Sequence, residues 1–125
     1  MKNLIIDATK EKVFFSIITE SQSYNTSYIN SRENFDQFID LLLIFLKKYK
    51  IELGDIGRIF VNQGPGKSSS IRTSIAIAKA IALSKNISLY GFNSKDFDGK
   101  DYKKILKLQK KNIQNKGLIK PLYSS

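Results

Sequence analysis

The stretch Arg58-Ile59-Phe60-Val61-Asn62-Gln63-Gly64-Pro65-Gly66-Lys67-Ser68-Ser69-Ser70-Ile71-Arg72, running on through Ile75-Ala76-Ile77-Ala78-Lys79-Ala80-Ile81-Ala82-Leu83-Ser84, reads as strand, turn and helix. Residues 58–62 are a short apolar run of buried-strand character. Gly64-Pro65-Gly66 makes a tight turn, because glycine permits positive φ and proline fixes its own. Ser68, Ser69 and Ser70 can each cap the helix that follows. Along it Ile71, Ile75, Ala78 and Ala82 form one apolar stripe, and Ala76, Ile77, Ala80 and Ile81 form another. Only Arg72, Thr73, Ser74 and Lys79 relieve this, so the helix needs cover on more than one side, and its alanines let another helix approach closely. Residues 87–92 then form a closing strand.

Upstream, residues 2–6 are a short apolar run ending at Asp7-Ala8-Thr9-Lys10, and residues 13–19 are a second β-rich run, which together predict an N-terminal hairpin. Residues 24–29 predict a third strand, weakly apolar and exposed. Ser31 has the character of an N-cap, with Asn34 three residues on and Glu33 in the first turn, where the helix dipole favours an anion. A helix is expected over residues 32–50. Phe35, Phe38, Ile39, Leu42, Leu46 and Tyr49 make one stripe of it, while Leu41, Leu43, Ile44 and Phe45 lie outside that stripe. Two covered faces are implied here as well. The order strand, strand, strand, helix, strand, helix, strand is that of a mixed, five-stranded α/β sheet that begins as a meander and continues by parallel crossovers.

At 125 residues the chain has room for one domain, and 42% apolar residues with eight Phe and six Tyr can fill its core. The absence of Cys removes disulfides and thiolate metal sites, and the absence of His removes imidazole acid-base chemistry and ligation. With no signal-peptide pattern, and with its longest apolar run, Leu41 to Leu46, far too short to span a bilayer, the expected location is the cytoplasm, with no membrane partner. The net charge is +10, but only three of the 21 basic residues are Arg. Lysine, isoleucine and asparagine enrichment is what an AT-rich genome would produce. The excess is concentrated late: residues 94–125 carry nine basic and three acidic side chains.

Residues 61–68 approach the phosphate-loop signature between a strand and a helix, but Val61 stands where the leading glycine is needed. A weaker anion site at Gly64, Gly66, Lys67 and Ser68 is one expectation, and a turn with serine caps is the other. Asp7 at the end of the first strand either holds magnesium or phosphate or caps its own turn. The serines have no histidine to activate them, so no catalytic residues, no metal and no cofactor are expected. Over residues 100–116 a helical period places Tyr102, Ile105, Leu106, Gln109 and Ile113 on one side and Lys100, Lys103, Lys104, Lys107, Lys110 and Lys111 on the other. This predicts a basic amphipathic helix, with Lys103, Lys104, Lys107, Lys110 and Lys111 available to RNA phosphates if its polar face is not merely solvated.

Three motifs carry a family likeness. Leu4-Ile5-Ile6-Asp7-Ala8-Thr9, Ser31-Arg32-Glu33-Asn34 and Gly64-Pro65-Gly66-Lys67-Ser68-Ser69-Ser70-Ile71-Arg72 resemble the strand opening, helix entry and glycine-proline signature of the TsaB (YeaZ) family of tRNA threonylcarbamoyladenosine biosynthesis, and Pro121-Leu122-Tyr123 resembles its C-terminal Pro-x-Tyr. The chain departs from that pattern at Asn34, where the family has His, and at Lys67, Ser68 and Ser70, where it has Ser, Phe and Gly. The resemblance implies a single ribonuclease H-like, actin-like ATPase lobe over residues 1–94. Residues 95–125 form a basic tail where the family carries a second lobe, so no two-lobed ATP cleft is expected.

It also implies a noncatalytic subunit that pairs with a TsaD-like catalytic paralogue and works with a TsaE-like ATPase on tRNA, forming a homodimer when isolated. Family members pair through the helices after the third and fourth strands, which are the two whose apolar residues spread too widely. The interface is therefore expected at Phe38, Leu41, Leu42, Ile44 and Phe45 of the first helix and at Ile71, Arg72, Ile75, Ala78, Lys79 and Ala82 of the second. The alternative is an RNA-binding module that uses the C-terminal lysine face.

Overall fold

A computed structural model describes residues 1–95 and 103–106. Five strands, β1 (Lys2–Asp7), β2 (Lys12–Ile18), β3 (Ser23–Ile29), β4 (Ile56–Asn62) and β5 (Ser88–Phe92), form one sheet in the order β3-β2-β1-β4-β5. The first three run as an antiparallel meander; β4 joins β1 in parallel and β5 joins β4 in parallel. The result is the mixed α/β lobe that the sequence predicts.

Strand β1 lies at the centre, and its alternation sorts the core. Leu4, Ile6 and Ala8 point to one side, where they meet Phe15, Ile17, Ile59 and Val61 from the neighbouring strands. The connections β3 to β4 and β4 to β5 both lay their helices on this side. Helix α3 (Ser68–Lys85) brings Ile71, Ile75, Ala78 and Ala82 to it, and α2 (Phe38–Lys48) brings Phe38, Leu42, Phe45 and Leu46. Ile5, Ile18, Phe60 and Phe92 point to the opposite side, where they gather around Ile105, which is fully buried. Residues 103–106 form a short 3-10 turn against that face. The rest of the expected basic helix, with Lys107, Lys110 and Lys111, lies outside the described residues, as does Pro121-Leu122-Tyr123.

The helix expected over residues 32–50 is two helices. Ser31 caps α1 (Arg32–Asp36) as predicted, its hydroxyl accepting the Asn34 amide at 3.2 Å. The path then bends at Gln37, φ −107° and ψ 17°, whose own N–H closes back on Asn34 O while its carbonyl starts α2 by accepting from Leu41 N–H. Phe35 and Phe38 flank the bend, with ring centroids 6.4 Å apart, and Phe38 meets Phe15 edge-on at 5.2 Å. Helix α2 ends when Lys50 turns left-handed, φ 57°, and the Ile51 amide returns to Leu46 O. Asn86, φ 53°, ends α3 in the same way through Ile87 N–H and Ala82 O. At its other end the residue in the cap position is Lys67, without a side-chain bond, so none of the three serines caps α3.

Strand β3 is an edge. Tyr24, Thr26 and Tyr28 point to the helix side and are half-buried, Tyr24 stacking on Tyr49 with centroids 4.1 Å apart, while Ser23, Asn25, Ser27 and Ile29 are exposed.

Candidate functional site

Two places in this lobe could engage something else: the turn at the carboxyl ends of β1 and β4, and the outer faces of α2 and α3.

The parallel pairing of β1 and β4 brings Asp7 and Asn62 to the same end of the sheet. Both are buried, and both serve the turns that follow them. Asp7 Oδ1 accepts from the Thr9 amide at 3.1 Å and the Thr9 hydroxyl at 2.7 Å, so Asp7 caps its own turn. Asn62 Oδ1 accepts from Gly64 N–H at 2.9 Å, and Asn62 Nδ2 reaches Thr9 Oγ1 at 3.5 Å. Gly64, with φ 107°, takes a backbone shape reserved in practice for glycine. Lys67 N–H donates to Thr9 O at 3.1 Å, and a Cβ on Gly66 would run into that carbonyl. Ser94 closes the far side, its amide donating to Gly64 O at 2.8 Å and its hydroxyl to Pro65 O at 3.1 Å.

An anion cradle needs amides aimed outward, and the amides of Gly64 and Lys67 are engaged by internal acceptors. At the site expected at Gly64, Gly66, Lys67 and Ser68, these two amides instead tie the β1–β2 turn, β4 and the start of α3 together. The side chains of Lys67, Ser68 and Ser69 are exposed. Among the described residues, no cluster of His, Cys, Asp and Glu is arranged to hold a metal ion.

The residues proposed from sequence for an interface divide into two sets. Phe38, Leu42, Phe45, Ile71, Ile75, Ala78 and Ala82 are buried against the sheet of their own chain. Leu41 and Lys79 are half-buried, and Ile44 and Arg72 are exposed. What the outer face of α2 presents instead is Ile39, Leu43 and Ile44, the last 60% exposed, while α3 presents Ala76, Ala80 and Leu83, the last 69% exposed. Phe38, Leu42, Phe45, Leu46 and Tyr49 are the spacing i, i+4, i+7, i+8 and i+11, which is the inward stripe. The sequence stripe holds Ile39 and leaves out Phe45, whereas the structure buries Phe45 and exposes Ile39. At the end of α2 a groove of about 810 Å³ runs over Leu43, Leu46, Ile51 and Leu53, with Lys47, Lys50 and Lys85 around it. Lys103 and Lys104 are exposed on the 3-10 turn that lies against the other side of the sheet.

The family model described as TsaD, tRNA N6-adenosine threonylcarbamoyltransferase, matches residues 16–97. The tRNA threonylcarbamoyladenosine biosynthesis protein TsaB of Buchnera aphidicola subsp. Schizaphis graminum is 28% identical over 91 residues, 73% of this chain and 43% of that protein. A tRNA N6-adenosine threonylcarbamoyltransferase of Syntrophus aciditrophicus is 35% identical over 65 residues, 52% of this chain and 19% of that protein. The chain thus spans less than half the length of these curated relatives. Among solved structures, YeaZ from Pseudomonas aeruginosa superposes with a TM-score of 0.68 at 15% identity, over 74% of this chain and 43% of that one. RuvC of Thermus thermophilus, solved with a Holliday junction substrate, gives 0.54 at 9% identity, over 77% and 66%. Both likenesses are of fold, and they place the sheet in the ribonuclease H-like class.

Proposed function

Because the chain belongs to the TsaD family of tRNA N6-adenosine threonylcarbamoyltransferases, we propose that it is a noncatalytic, TsaB-like subunit of the machinery that makes tRNA threonylcarbamoyladenosine. It pairs with a TsaD-like catalytic paralogue through the outer faces of α2 and α3, and a TsaE-like ATPase and tRNA join through that complex. The observation that carries this reading is the apolar face itself. Ile39, Leu43, Ile44 and Leu83 are all 41% exposed or more, whereas Ile105 is buried on the other side of the sheet. Ile39, Leu43 and Ile44 follow one another along a single face of α2, and exposed large aliphatic side chains grouped in this way are the usual mark of a protein contact.

The noncatalytic assignment rests on the glycine-proline turn, whose Gly64 and Lys67 amides already have acceptors, and on the lack of His and Cys in the sequence. The proposed interface is Leu41, Ile44, Arg72 and Lys79 of the sequence-predicted set together with Ile39, Leu43 and Leu83.

Co-purification of the full chain with the TsaD-like protein of the same source tests the reading. Ile44→Glu places a carboxylate on the exposed apolar face of α2, and a charge desolvated without a partner is strongly disfavoured. The expected result is loss of the complex with an unchanged circular dichroism spectrum. A complex that survives Ile44→Glu and Leu83→Glu together overturns the interface.

A further inference from the structure

Strand β3 is the outer edge of the described sheet, and its own residues carry none of the devices that keep sheet edges apart. Edges are usually blunted by lysine, proline, a bulge or a short strand. Here seven consecutive residues pair with β2 without a register shift, and residues 21–31 hold no charged side chain and no proline in a chain whose net charge is +10. Two inward bonds fix which backbone groups point out. Asn30 N–H donates to Glu11 O, and Thr19 N–H to Gln22 O, so the even-numbered residues of β3 bond to β2. The alternation of an antiparallel ladder then turns the amides and carbonyls of Ser23, Asn25, Ser27 and Ile29 outward. No described strand lies beside them.

The sequence of this edge is self-complementary. About Thr26, the order Ser23-Tyr24-Asn25-Thr26-Ser27-Tyr28-Ile29 places a tyrosine two residues to each side, both on the helix face and both half-buried. Just beyond the uncharged stretch stand Glu20 before it and Arg32 after it, both exposed and both six residues from Thr26. We infer that β3 is a self-pairing edge, where a second copy of this chain adds its own β3 in antiparallel about a twofold axis through Thr26 and extends the two sheets into one. In that register Asn25 faces the second copy's Ser27, and the outward amides and carbonyls of each meet those of the other. Tyr24 faces the second copy's Tyr28, an aromatic cross-strand pair that stabilises antiparallel ladders. Glu20 of one copy comes to the Arg32 end of the other, so the charges at the two ends of the strand attract. An axis shifted by one residue in pairing loses both matches.

This contact is separate from the α2 and α3 surface and does not depend on the pairing proposed above. Because the chain has no cysteine, the register can be read directly. Thr26 faces its own mate at a position without hydrogen bonds, where Cα atoms stand about 4.5 Å apart, within the reach of a disulfide. Ser23 and its mate stand six residues apart along the ladder, roughly 20 Å. The test is carried out on the full chain, oxidised mildly after introducing a single cysteine. Thr26→Cys is expected to give a covalent dimer, Ser23→Cys a monomer, and light scattering of the unmodified chain a mass twice its 14.2 kDa. Ser27→Pro removes one outward amide without touching a bond to β2 and is expected to shift that mass to a single chain, while Ile44→Glu leaves the dimer intact. A monomer at all concentrations, equal cross-linking of the two cysteine variants, or a dimer abolished by Ile44→Glu each overturns the inference.

Discussion

The amide of Lys67 donates to the carbonyl of Thr9 across 3.1 Å, tying the first turn of α3 to the loop that joins β1 to β2. A lysine that stands where phosphate loops place their nucleotide contact thus has its backbone turned into the protein. ATP turnover by the purified chain is expected to be absent, and Lys67→Ala is expected to change nothing. Turnover that is lost on that substitution would assign the turn a chemical role and remove the noncatalytic reading.

Gly66 has no room for a side chain beside the same carbonyl. Gly66→Ala must push the β1–β2 turn and α3 apart, and overpacking of this kind costs about 1–3 kcal/mol. The urea midpoint is expected to fall accordingly with an unchanged slope. A midpoint within error of the parent would show that the turn yields freely.

Phe15 stands at the centre of the helix-side core, in ring contact with Tyr28, Phe38 and Phe45. Phe15→Ala is expected to lower stability by about 3–5 kcal/mol. Ile44→Glu, on the exposed side of α2, is expected to stay within about 0.5 kcal/mol of the parent. Thermal or denaturant unfolding of the two variants checks the division between core and interface.

Ser31→Ala removes the side-chain cap of the Asn34 amide at the start of α1 and is expected to reduce stability by about 1 kcal/mol. Ser31→Asp keeps an acceptor and is expected to retain most of it. Equal losses in the two variants would mean that the hydroxyl acts other than as a cap.

Much of this was legible from sequence, for reasons particular to each element. Ser31 could be recognised because a hydroxyl three residues ahead of a free amide has one obvious use, and Gly64-Pro65-Gly66 because its residues admit few backbone shapes. The strands announced themselves through β-branched and aromatic runs. What was hidden is the rotation of each helix. In α2 and α3 apolar residues cover most of the circumference, so periodicity alone cannot say whether Ile39 or Phe45 turns inward; the sheet decides, through Phe15 and its neighbours. The break at Gln37 has no proline or glycine to mark it. The turn serines misled because Gly66 is drawn against Thr9, which places Lys67 rather than a serine at the head of α3.

Strand β1 has the most distant of its two partners in β4, to which it is joined in parallel through Ile6 and Val61. During synthesis the meander can form early, but its central strand keeps one open flank until residue 62 has left the ribosome. Assembly of the lobe must therefore wait on a contact between segments made far apart in time, and any nascent chain halted before β4 would expose a strand rich in Leu4, Ile5 and Ile6 to whatever chaperone is nearest.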